Sequence, residues 1–226
     1  MRVFAIRPEP GFSATLEAGR ALGMEMAGEP LFAVRPVAWQ PPDPASFDVI
    51  LAGSANAFRH AGTRLQRIAS KPVHAVGKTT AQAALSSGLP VANVGEGGLQ
   101  SLLDGLAGRQ LRMLRLTGRH RVPLDPPAGI DLVERIVYES AAMPMPPELA
   151  GALSEGGIVL LHSARAALHL GDQCDAHGVP RHDLHIAALG ARIAEAAGPG
   201  WASVHSAERP DEAALLALAR HLCHRM

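Results

Sequence analysis

The sequence predicts an α/β protein made of two similar parallel-sheet α/β domains joined by a two-stranded antiparallel β-ladder hinge. Three observations predict it. Short, nearly continuous apolar runs alternate with helical patterns along the chain. Three strand–helix units of the first half recur in the same order in the second. Two longer Val- and Ile-rich segments fit neither half and lie next to Pro-rich stretches.

The strands come first. Candidates are Val3–Ile6, Val49–Ala52, Val73–Val76, Val91–Val94, Arg112–Leu116, Ile158–His162, His185–Leu189 and Ser203–His205. They are runs of mostly apolar residues rather than alternating ones, the pattern of strands covered on both faces. Helical patterns lie between them at Ser13–Leu22, Thr79–Ser86, Leu99–Leu106, Ala164–His177, Arg192–Ala197 and Asp211–Cys223. Strand following helix in this way implies parallel sheets with right-handed crossovers.

The repeat is visible in the letters. FDVILAGSANAFRHAG (47–62) matches GGIVLLHSARAALHLG (156–171): an apolar strand, Ser-Ala, then a helix. VHAVGKTTAQAALSSG (73–88) matches HIAALGARIAEAAGPG (185–200), and ANVGEGGLQSLLDGLA (92–107) matches SVHSAERPDEAALLALA (203–219). Chance likeness among Ala-rich units would not keep both order and offset, so duplication is the better reading.

The two unmatched segments are Leu31–Gln40 and Asp131–Ala141, followed by PPDP (41–44) and MPMPP (143–147). The economical arrangement has the chain leave one domain on the first and return on the second. Domain one is then 1–34 with 142–226, and domain two is 42–130, joined by 35–41 and 131–141 paired antiparallel. A double connection restrains relative motion more than a single flexible linker does.

Composition limits the function. Two cysteines in 226 residues make no disulfide framework and point to a reducing compartment. The opening MRVFAIRPEPG lacks the length of a signal peptide, and no apolar run reaches the roughly 18 residues of a membrane span. A soluble cytoplasmic protein is expected. Zero net charge gives no argument for nucleic acid or membrane. It does conceal a division: residues 42–130 carry ten Lys and Arg against five Asp and Glu, and the rest eleven against sixteen. A basic middle domain suits an anionic ligand, although solvated helix faces account for part of the excess.

GKTT (77–80) raises the question of a nucleotide. A phosphate-binding loop needs a glycine five residues before Gly77. That position is Pro72, and Val73–Val76 between them read as a strand. What survives is a strand ending at Gly77 and a helix starting near Thr79 and Thr80. Such a helix start offers free N–H groups to an anion, or plain capping by threonine. Ser54-Ala55-Asn56, Ser163-Ala164-Arg165 and Gly190 stand at equivalent strand ends, where open α/β sheets present ligand-facing edges. Two such edges facing each other would make a cleft for a polycarboxylate. Capping explains any one of these positions; together they favour a site. Tyr138, the only tyrosine, lies on the returning connector, where reaching substrate and half-burial on a ladder are equally compatible with the sequence. His221, Cys223 and His224, and His182 with His185, read as ordinary surface residues because no second ligand cluster accompanies them.

Together these stretches resemble the uroporphyrinogen-III synthase family. The likeness covers most of the chain: Arg7-Pro8 with Gly11 and Thr15, DVILAGSANA (48–57), AVGKTTAQA (75–83), LRLTGRHR (114–121), IVYES (136–140), VLLHSARA (159–166) and AERPDEAALLALA (207–219). It implies cyclisation of the linear tetrapyrrole hydroxymethylbilane, with inversion of the last ring through a spiro intermediate and loss of water. It implies no metal and no organic cofactor, a monomer, and hand-off from hydroxymethylbilane synthase. Tyr138 matches the tyrosine proposed to help the hydroxyl leave, and Thr80 the threonine after the middle-domain glycine. The substrate-binding expectation covers Ser54, Asn56, Gly77, Lys78, Thr79, Thr117 and Arg119 in the middle domain. In the other it covers Arg7, Thr15, Ser163, Arg165, Gly190 and Arg192. Where the family often has Gly-Pro-Thr-Thr, this chain has Gly190-Ala191-Arg192-Ile193, so hydroxyls are absent there. A non-catalytic binder of a tetrapyrrole or another polyanion is the alternative.

Overall fold

The computed structural model describes residues 1–225; Met226, the end of the expected first domain, lies outside the described residues. The strands are β1 (Val3–Ala5), β2 (Met26–Gly28), β3 (Phe32–Pro36), β4 (Val49–Ala52), β5 (Val73–Val76), β6 (Val91–Gly95), β7 (Leu111–Gly118), β8 (Ile130–Ala142), β9 (Gly157–Leu161), β10 (Leu184–Ala188) and β11 (Ser203–Ser206). The helices are α1 (Gly11–Ala21), α2 (Asn56–Arg59), α3 (Lys78–Ser86), α4 (Leu99–Asp104), α5 (Pro147–Ser154), α6 (Ala164–His177), α7 (Ala191–Ala197) and α8 (Glu212–Arg225). The chain divides into unit 1, Met1–Ala33 with Ala141–Met226, and unit 2, Val34–Ser140.

Unit 1 holds a five-stranded sheet in the order β11-β10-β9-β1-β2, all neighbours parallel. Counted along the chain this is the doubly wound order 2-1-3-4-5, whose crevice lies where the order reverses, between β1 and β9. All five residues of β9 are buried, because helices cover both faces. Phe4, Val159 and Leu161 pack with Leu149, Leu170 and Ile186 in one core; Val3, Ile158 and Leu160 pack with Leu215, Leu216 and Ala219 in the other. Each fully buried Leu, Ile or Phe adds about 1.5–3 kcal/mol. Helix α6 starts where Ser163 Oγ accepts the Ala166 N–H at 3.1 Å. It stops at Gly178, whose φ of 67° closes a left-handed cap.

Unit 2 holds the order β3-β8-β7-β4-β5-β6. The three sequence-matched strands β4, β5 and β6 sit side by side as β9, β10 and β11 do. Here the β1 and β2 counterparts, β7 and β8, follow those strands in sequence instead of preceding them. Neighbours from β8 through β6 are parallel. Ile50, Ala52, Leu114 and Leu116 face one core with Phe58 and Ala84, and Val49, Leu51 and Met113 face another with Leu102 and Leu103.

The expected connector 131–141 is a full member of this sheet, paired in parallel with β7 from Leu111↔Ile130 to Gly118↔Tyr138. On its other side lies β3. The Val37 N–H donates to the Val137 carbonyl and the Met143 N–H to the Leu31 carbonyl, both at 2.9 Å. As one number rises the other falls, so this edge runs antiparallel. The first connector was expected at 35–41, but β3 ends at Pro36. One ladder bond follows at Val37, and Pro41 and Pro42, which have no N–H to give, come soon after.

Two elements have no counterpart in the sequence reading. Strand β2 has three residues, too few to show a period, and Gly28 permits it: a Cβ there would collide with the Ala5 carbonyl oxygen. Helix α5 begins at Pro147, inside the stretch read only as a Pro-rich boundary; proline at a first helical position starts a helix. The helix expected after Ser54-Ala55 is a single turn, α2, followed by 3-10 structure over Gly62–Ile68.

Candidate functional site

At the carboxyl end of β1 and β9 in unit 1, four side chains converge. The Arg7 guanidinium donates to Glu212 Oε2 at 2.7 Å and stands 3.4 Å from Thr15 Oγ1. Thr15 donates to Glu212 Oε1 at 2.5 Å, and His162 Nε2 lies 3.1 Å from Glu212 Oε2. Gly11 leaves room for this, because a Cβ there would collide with the Arg7 guanidinium. Burial opposes ionisation of Glu212, but the bonds from His162 and Thr15 and the Arg7 charge outweigh it, holding its pKa at about 2. Thr15 is 1% exposed, and His162 Nδ1 is buried without a partner. The carboxylate is therefore ionised at neutral pH, and Arg7 is already committed to it.

The equivalent edge of unit 2 lies at the ends of β7 and β4. Register places Tyr138 opposite Gly118, and the missing Cβ matters there. An added one would stand 2.7 Å from Tyr138 Cζ and 3.0 Å from its hydroxyl oxygen. The His60 ring lies 6.3 Å from the Tyr138 ring, tilted by 37°. Burial first, and the Arg59 charge second, push the His60 pKa down, so a neutral imidazole faces the phenol at pH 7. The Arg119 N–H donates to the Tyr138 carbonyl at 3.0 Å, while its guanidinium pairs with Glu139 at 2.7 Å. Ser54 Oγ accepts the Asn56 N–H at 3.3 Å. Thr80 and Thr117 are both buried, 5% and 7% exposed.

Gly77 ends β5 and caps α3 with φ 79° and ψ 150°, a conformation essentially reserved for glycine. Val73–Val76 is strand, so no phosphate-wrapping loop precedes it. Lys78 and Thr79 are exposed and line an open cavity of about 510 Å3 with Arg59, Gln82, Ser86 and Ser87. Gly190, the matched position, differs: its φ is −172° and a Cβ would meet nothing within 4 Å. Arg192 is exposed on the seven-residue α7. Ser163 caps α6, and the Arg165 guanidinium lies 5.2 Å from the Phe32 ring centre.

The structure thus joins Arg7 with Thr15, Ser54 with Asn56, Arg119 with Tyr138, and Lys78 with Thr79. Among the described residues Ser163, Gly190 and Arg192 form no hydrogen bond or ion pair with Glu212, whose partners are Arg7, Thr15 and His162. Sequence reasoning missed Glu212, His162, His60, Gly118 and Arg59. Glu212 is acidic in the first turn of α8, which reads equally well as an ordinary answer to the helix dipole.

A search of curated protein sequences finds no match. Solved structures match over nearly the whole chain, among them these two. The uroporphyrinogen-III synthetase of Helicobacter pylori is 18% identical, with a TM-score of 0.65, covering 98% of this chain and 100% of its own. A mutant uroporphyrinogen III synthase of the extremely thermophilic bacterium Thermus thermophilus is 22% identical, with a TM-score of 0.58, covering 99% of each. At such identities they establish the two-domain α/β fold. The model of the family described as uroporphyrinogen-III synthase HemD matches residues 13–217, a span that holds Thr15, Tyr138, His162 and Glu212 but begins after β1 and Arg7, and the chain belongs to that family.

Proposed function

We propose that the chain works from the carboxyl edge of unit 2, with Tyr138 as proton donor to the departing hydroxyl. The reaction comes with the family: these lyases cyclise hydroxymethylbilane in tetrapyrrole biosynthesis. Its chemistry asks little of the protein. As the C–O bond breaks, the hydroxyl takes the phenol proton and leaves as water. The pyrrole nitrogen lone pair stabilises the resulting methylene as an azafulvene. The last ring attacks it at its substituted carbon, giving a spiro centre. The bond from that centre to its original bridging carbon then breaks, and the azafulvene freed on the neighbouring ring is captured by the last ring's other α-carbon, which inverts the ring. The proton released as the pyrrole is restored returns to the phenolate. A reactive substrate mainly has to be folded and held; positioning supplies up to about 7–11 kcal/mol of barrier reduction, and a general acid about 10²–10⁴-fold in rate.

One observation carries the role of Tyr138: its ring rests where Gly118 has no side chain, level with the end of β7. Thr80 stands as the companion residue, with Ser54, Asn56, Gly77, Lys78, Thr79, Thr117 and Arg119 as binding groups of the same unit. Arg7, Thr15, Ser163, Arg165, Gly190 and Arg192 serve the other. The β3–β8 edge acts as the hinge. The reading includes a cytoplasmic monomer that needs no cofactor and receives its substrate from hydroxymethylbilane synthase. The two free cysteines suit a reducing compartment; among the described residues no helix is long and apolar enough to cross a membrane. Purified protein given hydroxymethylbilane should yield the type III isomer. Type I isomer alone, at the spontaneous rate, would end the enzymatic reading and leave a binder.

A further inference from the structure

We propose that the groove beside α3 is an anion subsite in which Arg59, seconded by Gln82, holds carboxylate side chains of the substrate. This rests on the function proposed above. The groove is an open cavity of about 510 Å3, lined by Arg59, Lys78, Thr79, Gln82, Ser86 and Ser87, with Ala83 between them. Its α3 residues recur three and four apart, so they share one face of that helix. Nine residues of helix span about 13 Å. The groove therefore starts at the carboxyl edge of unit 2, with Lys78 and Thr79, and runs down the helix.

Its electrostatics are unlike those of the rest of the unit. Arg112 pairs with Asp48, Arg115 and Arg121 with Glu134, and Arg119 with Glu139. Among the described residues neither Arg59 nor Lys78 has an ion pair, and no carboxylate lines the groove. Two uncompensated cations face hydroxyls and an amide. The Gln82 amide reaches Ser86 Oγ at 3.4 Å, and a better acceptor would displace that long bond. A guanidinium and an ammonium lining one groove suit a molecule with several carboxylates better than a single small anion, and Arg takes carboxylates through two parallel bonds. Arg59 also precedes His60, which faces Tyr138, so the groove adjoins the region assigned to the reaction.

The test uses the whole protein and hydroxymethylbilane, reading type III product. Arg59→Gln should raise KM about three- to fivefold, the scale of an exposed ion pair, with kcat within about twofold. Gln82→Glu, which places a negative charge in the groove, should raise KM further. The wild-type KM should also rise as salt increases from about 0.05 to 0.3 M, and that of Arg59→Gln should rise less. Both residues are exposed, so melting temperatures should hold; if Arg59→Gln unfolds, Gln82→Glu carries the test. Unchanged KM in the folded variants, or a fall in kcat at constant KM, overturns the subsite while leaving the enzyme intact. Failure of the wild type to make type III product falls instead on the function proposed above.

Discussion

At the switch point of unit 1, Glu212 gathers Arg7, Thr15 and His162 into a network that satisfies its own charges. At the corresponding edge of unit 2, Glu139 engages only Arg119, and Tyr138, Lys78 and Arg59 are left without acidic partners among the described residues. Two edges built on one sheet order thus differ, one closed on itself and the other carrying cations without acidic partners among the described residues. Charge counted along the sequence located the excess in the middle of the chain. Pairing in three dimensions narrows it, since four of the ten basic residues counted there are paired, Arg112 with Asp48, Arg119 with Glu139, and Arg115 and Arg121 sharing Glu134.

The strongest way to break this contrast is at Tyr138. Tyr138→Phe should lower kcat by about 10²–10⁴-fold with little change in KM. Gly118→Ala should reproduce part of that loss, because its Cβ would push the Tyr138 ring from its seat. Steady-state kinetics on both variants decide it. Equal losses in kcat and in product affinity would make Tyr138 a positioning group and remove the difference between the edges.

The network of unit 1 should matter for stability before it matters for turnover. Glu212→Gln strips a hydrogen-bonded carboxylate of its charge while Arg7 stays partly buried, and should cost about 1–3 kcal/mol, or a Tm drop of roughly 2–4 °C per kcal/mol for a chain of this size. The pH dependence has a definite sign. Burial raises the Glu212 pKa, but His162, Thr15 and Arg7 bring the folded value to about 2, below the unfolded value of about 4.3. Its contribution is therefore complete above about pH 4.3 and lost as pH falls toward 2. Acid titrations of stability should show a shallower limb in Glu212→Gln over that window. Parallel limbs would mean that the network is not coupled to folding.

Legibility followed the range of the interactions. Strand β9 and helix α6 could be read directly, because GIVLL is buried on both faces and Ser163 and Gly178 mark both helix ends. The matched order of three units foreshadowed the two sheets. Strand β2 was invisible because it depends on the bare backbone of Gly28 against Ala5. The parallel pairing of β8 with β7 escaped notice because a connection without a helix looks like a boundary. Among the candidate site residues, Arg7 and Thr15 carried a recognisable motif, but Glu212 lies 205 residues from Arg7. No local pattern encodes such a contact. Gly118 likewise acquires its meaning from Tyr138, on the neighbouring strand.

The finest test separates two glycines that the sequence makes equivalent. Gly77 and Gly190 both follow a strand and open a helix. Gly77, however, has φ 79° and ψ 150°, whereas Gly190 is extended at −172°, with free space where a Cβ would go. Gly77→Ala should destabilise by about 1–3 kcal/mol, the cost of forcing a side chain into that region. Gly190→Ala should be neutral or stabilise by about 0.4–1 kcal/mol, because only the unfolded chain loses freedom. Denaturant midpoints at constant slope measure both. Opposite signs would show that only the unit 2 glycine is demanded by its backbone, so that duplication preserved the letter at Gly190 after its need had gone. Equal costs would mean that both strand ends still depend on glycine, and the contrast between the units would then rest on side-chain charge alone.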